Sequence, residues 1–295
     1  MNTYIITGAT GYIGSNIVRS LINEGNDIHI IVRNTSNMSL LDDVKLNINI
    51  FIFNGDIESL IEYFKPLKDA IVIHLASLFI AEHKKEQIDG LIDSNIKFGA
   101  QLLEAMKEAD IKYLINTGTS WQHYKNSTYS PVCLYAATKE AFEKIITYYY
   151  EVHGIKNVTL ELFDSYGPGD NRPKLLNLLT TYSEKNIKLN MSYGEQMLDL
   201  VYIDDIVNGY LLTINMIKEG LIGKGEKFVL SSGYRISLKE LVELYRKITN
   251  RFVMVEWGAR PYRNREVMIP WENGTILPNW KANVSLVEGL IRTFK

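Results

Sequence analysis

Tyr4-Ile-Ile-Thr7-Gly8-Ala-Thr-Gly11-Tyr-Ile-Gly14 lies almost at the start of the chain, and its reading decides the fold. A β-branched and aromatic run enters a turn of three glycines, and Ile13 to Glu24 then follows helical spacing. Strand, glycine turn and helix in that order form a cradle for a dinucleotide. Gly8 permits a tight turn, Gly11 lets the backbone approach a pyrophosphate, and Gly14 brings helix against strand. The phosphates then rest on the helix N-terminus. The spacing is GxxGxxG, a variant of the more familiar GxGxxG.

Further along, strands and helices alternate. Strands are expected at Ile28 to Val32, Ile48 to Phe53, Ala70 to Leu75, Tyr113 to Asn116 and Val158 to Phe163. Helices are expected at Ile57 to Phe64, Leu91 to Ala109 and Tyr135 to Val152. The fourth strand is apolar without alternation, as a strand buried on both faces should be. The fold class is therefore α/β, a Rossmann-type doubly wound parallel sheet. After Tyr166-Gly-Pro-Gly-Asp170 the rhythm changes to mixed short segments. Residues 1–170 are expected to form the dinucleotide-binding domain, with 202–218 returning to it as a helix. Residues 171–201 and 219–295 are expected to form a smaller α/β lobe over the substrate.

Composition narrows the class of function. A net charge of −2 gives no reason to expect a nucleic-acid or anionic-membrane partner. The single cysteine, Cys133, excludes an intrachain disulfide framework and fits a reducing compartment. The longest apolar run, Ala70 to Ala81, is interrupted by His74 and too short to span a bilayer. A cytoplasmic protein is expected, and no cluster with metal-ligand spacing is read.

Two further features carry chemistry. Where an acidic residue would bind the ribose 2′-hydroxyl, the second strand ends in Val32-Arg33-Asn34-Thr35-Ser36. An arginine there favours a 2′-phosphate, so the expected cofactor is NADP(H). Asp56 is placed to accept from the adenine amino group, and His74 to Ser77 end a strand beside the nicotinamide ribose. The second feature is Tyr135-Ala-Ala-Thr-Lys139. A tyrosine and a lysine four apart share a helix face. The ammonium is expected to favour the phenolate of a group whose pKa is ordinarily about 10.

With these motifs the chain resembles the extended short-chain dehydrogenase/reductase family, which acts largely on nucleotide-activated sugars. The resemblance runs through the glycine turn, Asp56, His74 to Ser77, Asn95, Tyr135 with Lys139, Tyr166-Gly-Pro and Tyr202-Ile-Asp-Asp205. It implies that Tyr135 exchanges a proton with the sugar oxygen and that Lys139 supports it and binds the nicotinamide ribose. It also implies a third catalytic hydroxyl, which falls on Thr119, with Ser120 and Thr117 as alternatives. The implied cofactor contacts are Gly8, Thr10, Gly11, Tyr12, Ile13, Gly14, Arg33, Asn34, Ser36, Asp56 and Ile57. They continue with Leu75, Ala76, Ser77, Asn95, Thr117, Tyr135, Lys139, Phe163 and Ser165. The implied substrate contacts are Thr119, Ser120, Trp121, Asp164, Arg172, Lys174 and Arg263.

Departures from the family pattern refine the reaction. Family dehydratases carry an Asp-Glu pair after the catalytic Thr, and here Ser120-Trp121 stand there. Neither can act as a carboxylate acid or base, so dehydration is not expected. Cys133 and His123 are the nearest candidates for an extra proton shuttle, and are read instead as a buried thiol and a loop histidine. What remains is 4-epimerisation with a recycled NAD, or net reduction of a 4-keto sugar. Arg33 favours reduction, and Asn116 to Tyr124 together with Leu134 to Lys139 resemble sugar-nucleotide 4-ketoreductases. Leu198 stands where the family commonly has a diphosphate-binding arginine, which leaves Arg260, Arg263, Arg265 and Lys174 as replacements. Trp257 and Tyr262 could pack on the base or close the lobe. The family also implies a two-fold homodimer through the helices near Asn95 and Tyr135, with Leu102, Leu103, Met106, Phe142, Ile145, Ile146 and Tyr149 as apolar surface.

Overall fold

A computed structural model describes residues 1–295. The first half runs β1 (Thr3–Thr7), α1 (Tyr12–Asn23), β2 (Asp27–Val32), β3 (Asn49–Ile52), α2 (Ile57–Phe64) and β4 (Ile71–His74). Then come α3 (Ile88–Ile92), α4 (Phe98–Glu108), β5 (Tyr113–Thr119), α5 (Leu134–His153), β6 (Lys156–Leu162) and β7 (Asp164–Tyr166). The remainder is α6 (Leu175–Glu184), β8 (Leu189–Asn190), β9 (Met197–Leu198), β10 (Leu200–Tyr202), α7 (Ile203–Lys218) and β11 (Lys224–Leu230). It ends with β12 (Ile236–Ser237), α8 (Leu238–Thr249), β13 (Val255–Glu256) and α9 (Leu286–Phe294).

Seven strands form one parallel sheet in the order β11-β6-β5-β4-β1-β2-β3. From β1 the chain builds outward to β3, then crosses back to β4 on the other side of β1. That reversal opens a crevice at the carboxyl ends of β1 and β4, where α/β sheets bind ligands. Alternate side chains supply the two faces. Ile5, Ile31, Val72 and Leu114 join Leu102, Leu103, Met106, Phe142 and Ile146 on one side. Ile6, Ile30, Ile73 and Ile115 face the other, against α1, α7 and the second lobe.

Three details differ from the sequence expectation. The last stretch, 219–295, does not lie wholly in the lobe: β11 pairs with β6 as an edge strand of the central sheet. Only the end of β11 is apolar enough to look like a buried strand, because its first residues are exposed at the sheet edge. The helix expected from Leu91 is interrupted by a π-helical turn, Asp93–Lys97, which joins α3 to α4. The apolar residues assigned to a dimer face are also largely used within the chain: Leu102, Leu103, Met106 and Phe142 are fully buried, and Ile146 and Tyr149 nearly so.

The rest of the chain forms small pairs rather than a second large sheet: β7 with β10, β9 with β12, and β8 with β13. Leu198, in β9, pairs with Ile236 and packs against the core.

Candidate active site

The glycine turn divides into structural and ligand-facing parts. Gly8 has φ +71°, and a Cβ on it would meet the backbone of Ala76 at 2.6 Å. A Cβ on Gly14 would come within 2.3 Å of the Gly8 carbonyl oxygen. Both are required by the approach of α1 to the strand ends. Gly11 is exposed, has an ordinary negative φ, and its Cβ would meet only the Gly8 carbonyl at 3.3 Å. Gly11 is also the N-cap of α1, with no side-chain cap and no acidic residue in the first turn. The free amides and positive helix end suit a pyrophosphate. Thr10 and Ile13 lie half-buried in this turn.

Arg33 follows directly on β2. Its N–H donates to Ser36 Oγ at 3.0 Å, and its carbonyl accepts from the Ser36 N–H at 2.9 Å. This turn presents an exposed guanidinium with no carboxylate partner, beside exposed Asn34. Asp56 caps α2 by accepting from the N–H groups of Glu58 and Ser59, each at 3.2 Å, with Ile57 as the first helical residue. That capping explains Asp56 locally and leaves its carboxylate exposed.

Buried polar groups shape the strand ends. Thr7 Oγ1 lies 2.7 Å from His74 Nδ1 and accepts the Ala76 N–H at 3.3 Å. His74 Nε2 is buried without a partner. Burial, and then the Lys139 charge, pull the His74 pKa to about 3. His74 is a packed strand residue and not a proton donor. Asn95, on the π-helical turn, accepts the Leu78 N–H at 2.7 Å and donates to the Leu78 carbonyl at 3.1 Å and Thr138 Oγ1 at 2.9 Å. Its polar atoms are engaged by protein, so it fixes the segment after Ser77.

β5 runs three residues beyond the expected Asn116 and delivers Thr119 as its last residue. Helix α5 opposes it with Tyr135 and Lys139, both buried. The Tyr135 pKa is pushed up to about 12 by burial and by Cys133, against a smaller lowering from the hydroxyls of Ser77 and Thr119. Lys139 does not bring the phenol toward neutrality, contrary to the sequence expectation, because desolvation dominates. Lys139 is itself pulled to about 8 by burial, with Glu143 opposing the shift. At neutral pH this pair is an intact phenol beside a buried ammonium that makes no hydrogen bond or ion pair within the chain. Buried cations are ordinarily paired. Lys139 thus fits a ribose hydroxyl as partner, as the glycine turn fits a pyrophosphate.

The loop after Thr119 is anchored by a network invisible in the sequence. Gln122 Oε1 accepts the Thr119 N–H at 3.0 Å, and its Nε2 donates to Glu140 at 2.7 Å and Glu143 at 3.0 Å. Lys227 pairs with both carboxylates. Burial raises the Glu143 pKa, with Lys227 opposing. His123 faces acceptors at both ring nitrogens: the Thr128 carbonyl at 2.7 Å from Nδ1 and Glu161 Oε1 at 3.1 Å from Nε2. Burial lowers its pKa, but Glu161 and the carbonyls outweigh that and leave it raised. Stacked on Trp271 at 3.4 Å, His123 is no shuttle. The Cys133 thiol is half-buried at the start of α5 and kept protonated, its pKa raised by burial.

Of the expected substrate contacts, Trp121 and Arg263 come together, the guanidinium 5.5 Å from the ring centroid, and Ser120 adjoins them. Arg172 makes a forked contact to Asp170, 2.7 Å from each oxygen, and donates to the Ser165 carbonyl and hydroxyl. It ties the turn after β7 to Ser165. Lys174 and Asp164 pair with each other at 3.1 Å. Thr117 Oγ1 lies 2.6 Å from Tyr210 Oη and so faces α7. Leu75 and Ala76 line the strand end above Gly8, and Phe163 carries a cation over its ring, Arg235 at 5.6 Å. Sequence reading missed Arg235, which pairs with buried Asp199 and lies over the Phe163 ring. Its partner is 36 residues away, so no local pattern marked it. Trp257 and Tyr262 pack within the lobe, against Gly194 and Tyr193 respectively.

A doubly wound sheet, an uncapped glycine-rich helix start and a Tyr-Lys pair at the switch point define a dinucleotide-dependent enzyme of the Rossmann class. Residues 4–230 match the family described as NAD dependent epimerase/dehydratase, and the chain belongs to that family. The CDP-abequose synthase of Salmonella muenchen is 26% identical over 97% of this chain and 94% of its own. That of Yersinia pseudotuberculosis is 28% identical over 90% of each. The UDP-glucuronate 4-epimerase of Thermodesulfobacterium geofontis is 27% identical over 99% of this chain and 95% of its own. Among solved structures, UDP-glucose 4-epimerase of Thermotoga maritima with UDP-glucose superposes with a TM-score of 0.85 at 23% identity, covering 99% of this chain and 97% of its own. No helix is long and apolar enough to cross a membrane.

Proposed function

We propose that the chain is an NADPH-dependent 4-reductase of a nucleotide-linked 4-keto-6-deoxyhexose, with a dTDP- or CDP-sugar as substrate, serving deoxysugar synthesis for a surface polysaccharide. The observation that carries the reading is Arg33, an exposed, unpaired guanidinium at the ribose-discriminating end of β2. Ser120 and Trp121 beside Thr119 supply no carboxylate for dehydration, and the similarity to CDP-abequose synthases points to a deoxysugar.

The reduced nicotinamide, when bound, supplies the hydride. Thr119 holds the C4 carbonyl oxygen by its hydroxyl. Tyr135, an intact phenol at neutral pH, is in the form needed to protonate the oxygen as it gains charge. Lys139, cationic below about 8, steadies the phenolate left behind and binds the ribose. Gln122 keeps the Thr119 strand end in place against the helix that carries Tyr135.

Arg33→Ala tests the cofactor assignment. The lost charge-assisted contact is worth ~1.5–3 kcal/mol, so NADPH should weaken by one to two orders of magnitude while NADH changes little. Equal kinetic constants for NADPH and NADH in the unmodified enzyme would overturn the assignment. The second reading is an NDP-hexose 4-epimerase with tightly bound NAD, favoured by the similarity to UDP-glucuronate 4-epimerases. NAD that stays with the protein through purification would support it.

We also infer a C2 homodimer through the helices that contain Asn95 and Tyr135. With the inner residues committed to the core, Ile88, Ile92, Tyr148 and Val152 are the apolar side chains left exposed there. A dimeric mass in solution at micromolar concentration is expected, and a monomeric mass would contradict it.

A further inference from the structure

Hydroxyls and an aromatic ring both neighbour Tyr135. Ser77 and Thr119 place their hydroxyls beside the phenol. Phe79 sets its ring edge-on to Tyr135, with centroids 5.0 Å apart at 78°. The same ring meets Trp121 at 5.4 Å and 62°. Phe79 remains 54% exposed, an unusual state for a phenyl held between two aromatic neighbours. The Trp121 backbone N–H is donated to Thr119 Oγ1 at 3.3 Å, and the indole N–H is the one donor the two side chains carry, so Phe79 supplies the wholly apolar face. Neither family resemblance nor spacing singled out Phe79.

We infer that Phe79 and Trp121 form an apolar wall that selects a sugar lacking a hydroxyl one or two carbons from the reacting oxygen, a C6 methyl beside a C4 oxygen. The inference rests on the nucleotide-sugar reading above. A substrate C4 oxygen at Tyr135 Oη brings C5, and the C6 group it carries, within reach of the wall. A hydroxyl there would leave water for a phenyl that cannot hydrogen-bond. A methyl group loses nothing and gains contact with the rings. A pocket of this kind discriminates an added hydroxyl by about ten- to hundredfold.

The test is binding, independent of reduction. The full chain is titrated calorimetrically with unreactive pairs differing only at C6: dTDP-6-deoxyglucose against dTDP-glucose, and CDP-6-deoxyglucose against CDP-glucose. The 6-deoxy member should bind about ten- to hundredfold tighter in the pair with the correct base. Phe79→Asn, at an exposed position that the core does not need, should bring the ratio close to one and leave the affinity for free dTDP or CDP unchanged. Equal binding of both members by the unmodified chain, absence of binding in every pair, or a ratio unmoved by Phe79→Asn overturns the inference. A chain that consumes NADPH with 4-keto sugars but binds both members alike keeps the reductase reading and loses the wall. A chain that separates the pair without consuming NADPH keeps the wall and loses the reductase.

Discussion

Tyr135→Phe is expected to lower turnover by ~10²–10⁴-fold, the usual contribution of a positioned general acid. The phenyl ring retains the packing against Phe79, so the fold and NADPH affinity should stay close to those of the unmodified enzyme. An interaction made only in the transition state should lower kcat and kcat/KM together. The phenol pKa of about 12 makes this a test of acid catalysis specifically, since the group is fully protonated where the enzyme would work. Retention of more than a tenth of the turnover in Tyr135→Phe would remove Tyr135 from the chemistry.

Lys139→Met is expected to have opposite effects on activity and stability. Turnover and NADPH affinity should both fall, because in the proposed reaction the residue supports Tyr135 and holds the ribose. Stability should rise, by ~1–3 kcal/mol near neutrality, because the mutation removes a buried ammonium without a partner. The sign follows from the pKa. In the folded chain Lys139 titrates near 8, below its ordinary 10.5, so between those values the unfolded chain binds the extra proton. Stability from this residue therefore increases as pH rises from about 8 to 10.5, and the deficit is fully present below 8. Chemical denaturation across that range should show the slope in the unmodified protein and lose it in Lys139→Met. A variant less stable at neutral pH would show that Lys139 has a structural partner after all.

The parts legible in the sequence were those written in local spacing. Gly8, Gly11 and Gly14 announced the turn, alternating strands and helices announced the sheet, and Tyr135 with Lys139 announced a shared helix face. What escaped depends on residues distant in sequence. Gln122 reads as a loop polar residue, yet it joins the Thr119 strand to Glu140 and Glu143 on α5. Arg235 and Asp199 meet only after β9 and β12 pair. The Arg172 and Asp170 pair is local, but two adjacent charges in a turn do not reveal that they bind each other. Desolvation was the largest hidden quantity. Sequence spacing correctly joined Tyr135 to Lys139, but only burial decides that the phenol rises and the ammonium falls.

In the proposed reaction the hydride goes to C4 of a nucleotide-linked 4-keto-6-deoxyhexose. The most direct measurement incubates the enzyme with deuterium-labelled NADPH, labelled on each face of the nicotinamide in turn, and dTDP- or CDP-4-keto-6-deoxyglucose. The product sugar is then examined by NMR. Stoichiometric loss of NADPH with deuterium at C4 and no other carbon is the predicted result. Deuterium at another carbon, or a 4-epimerised sugar with no net consumption of NADPH, would overturn the 4-reductase proposal.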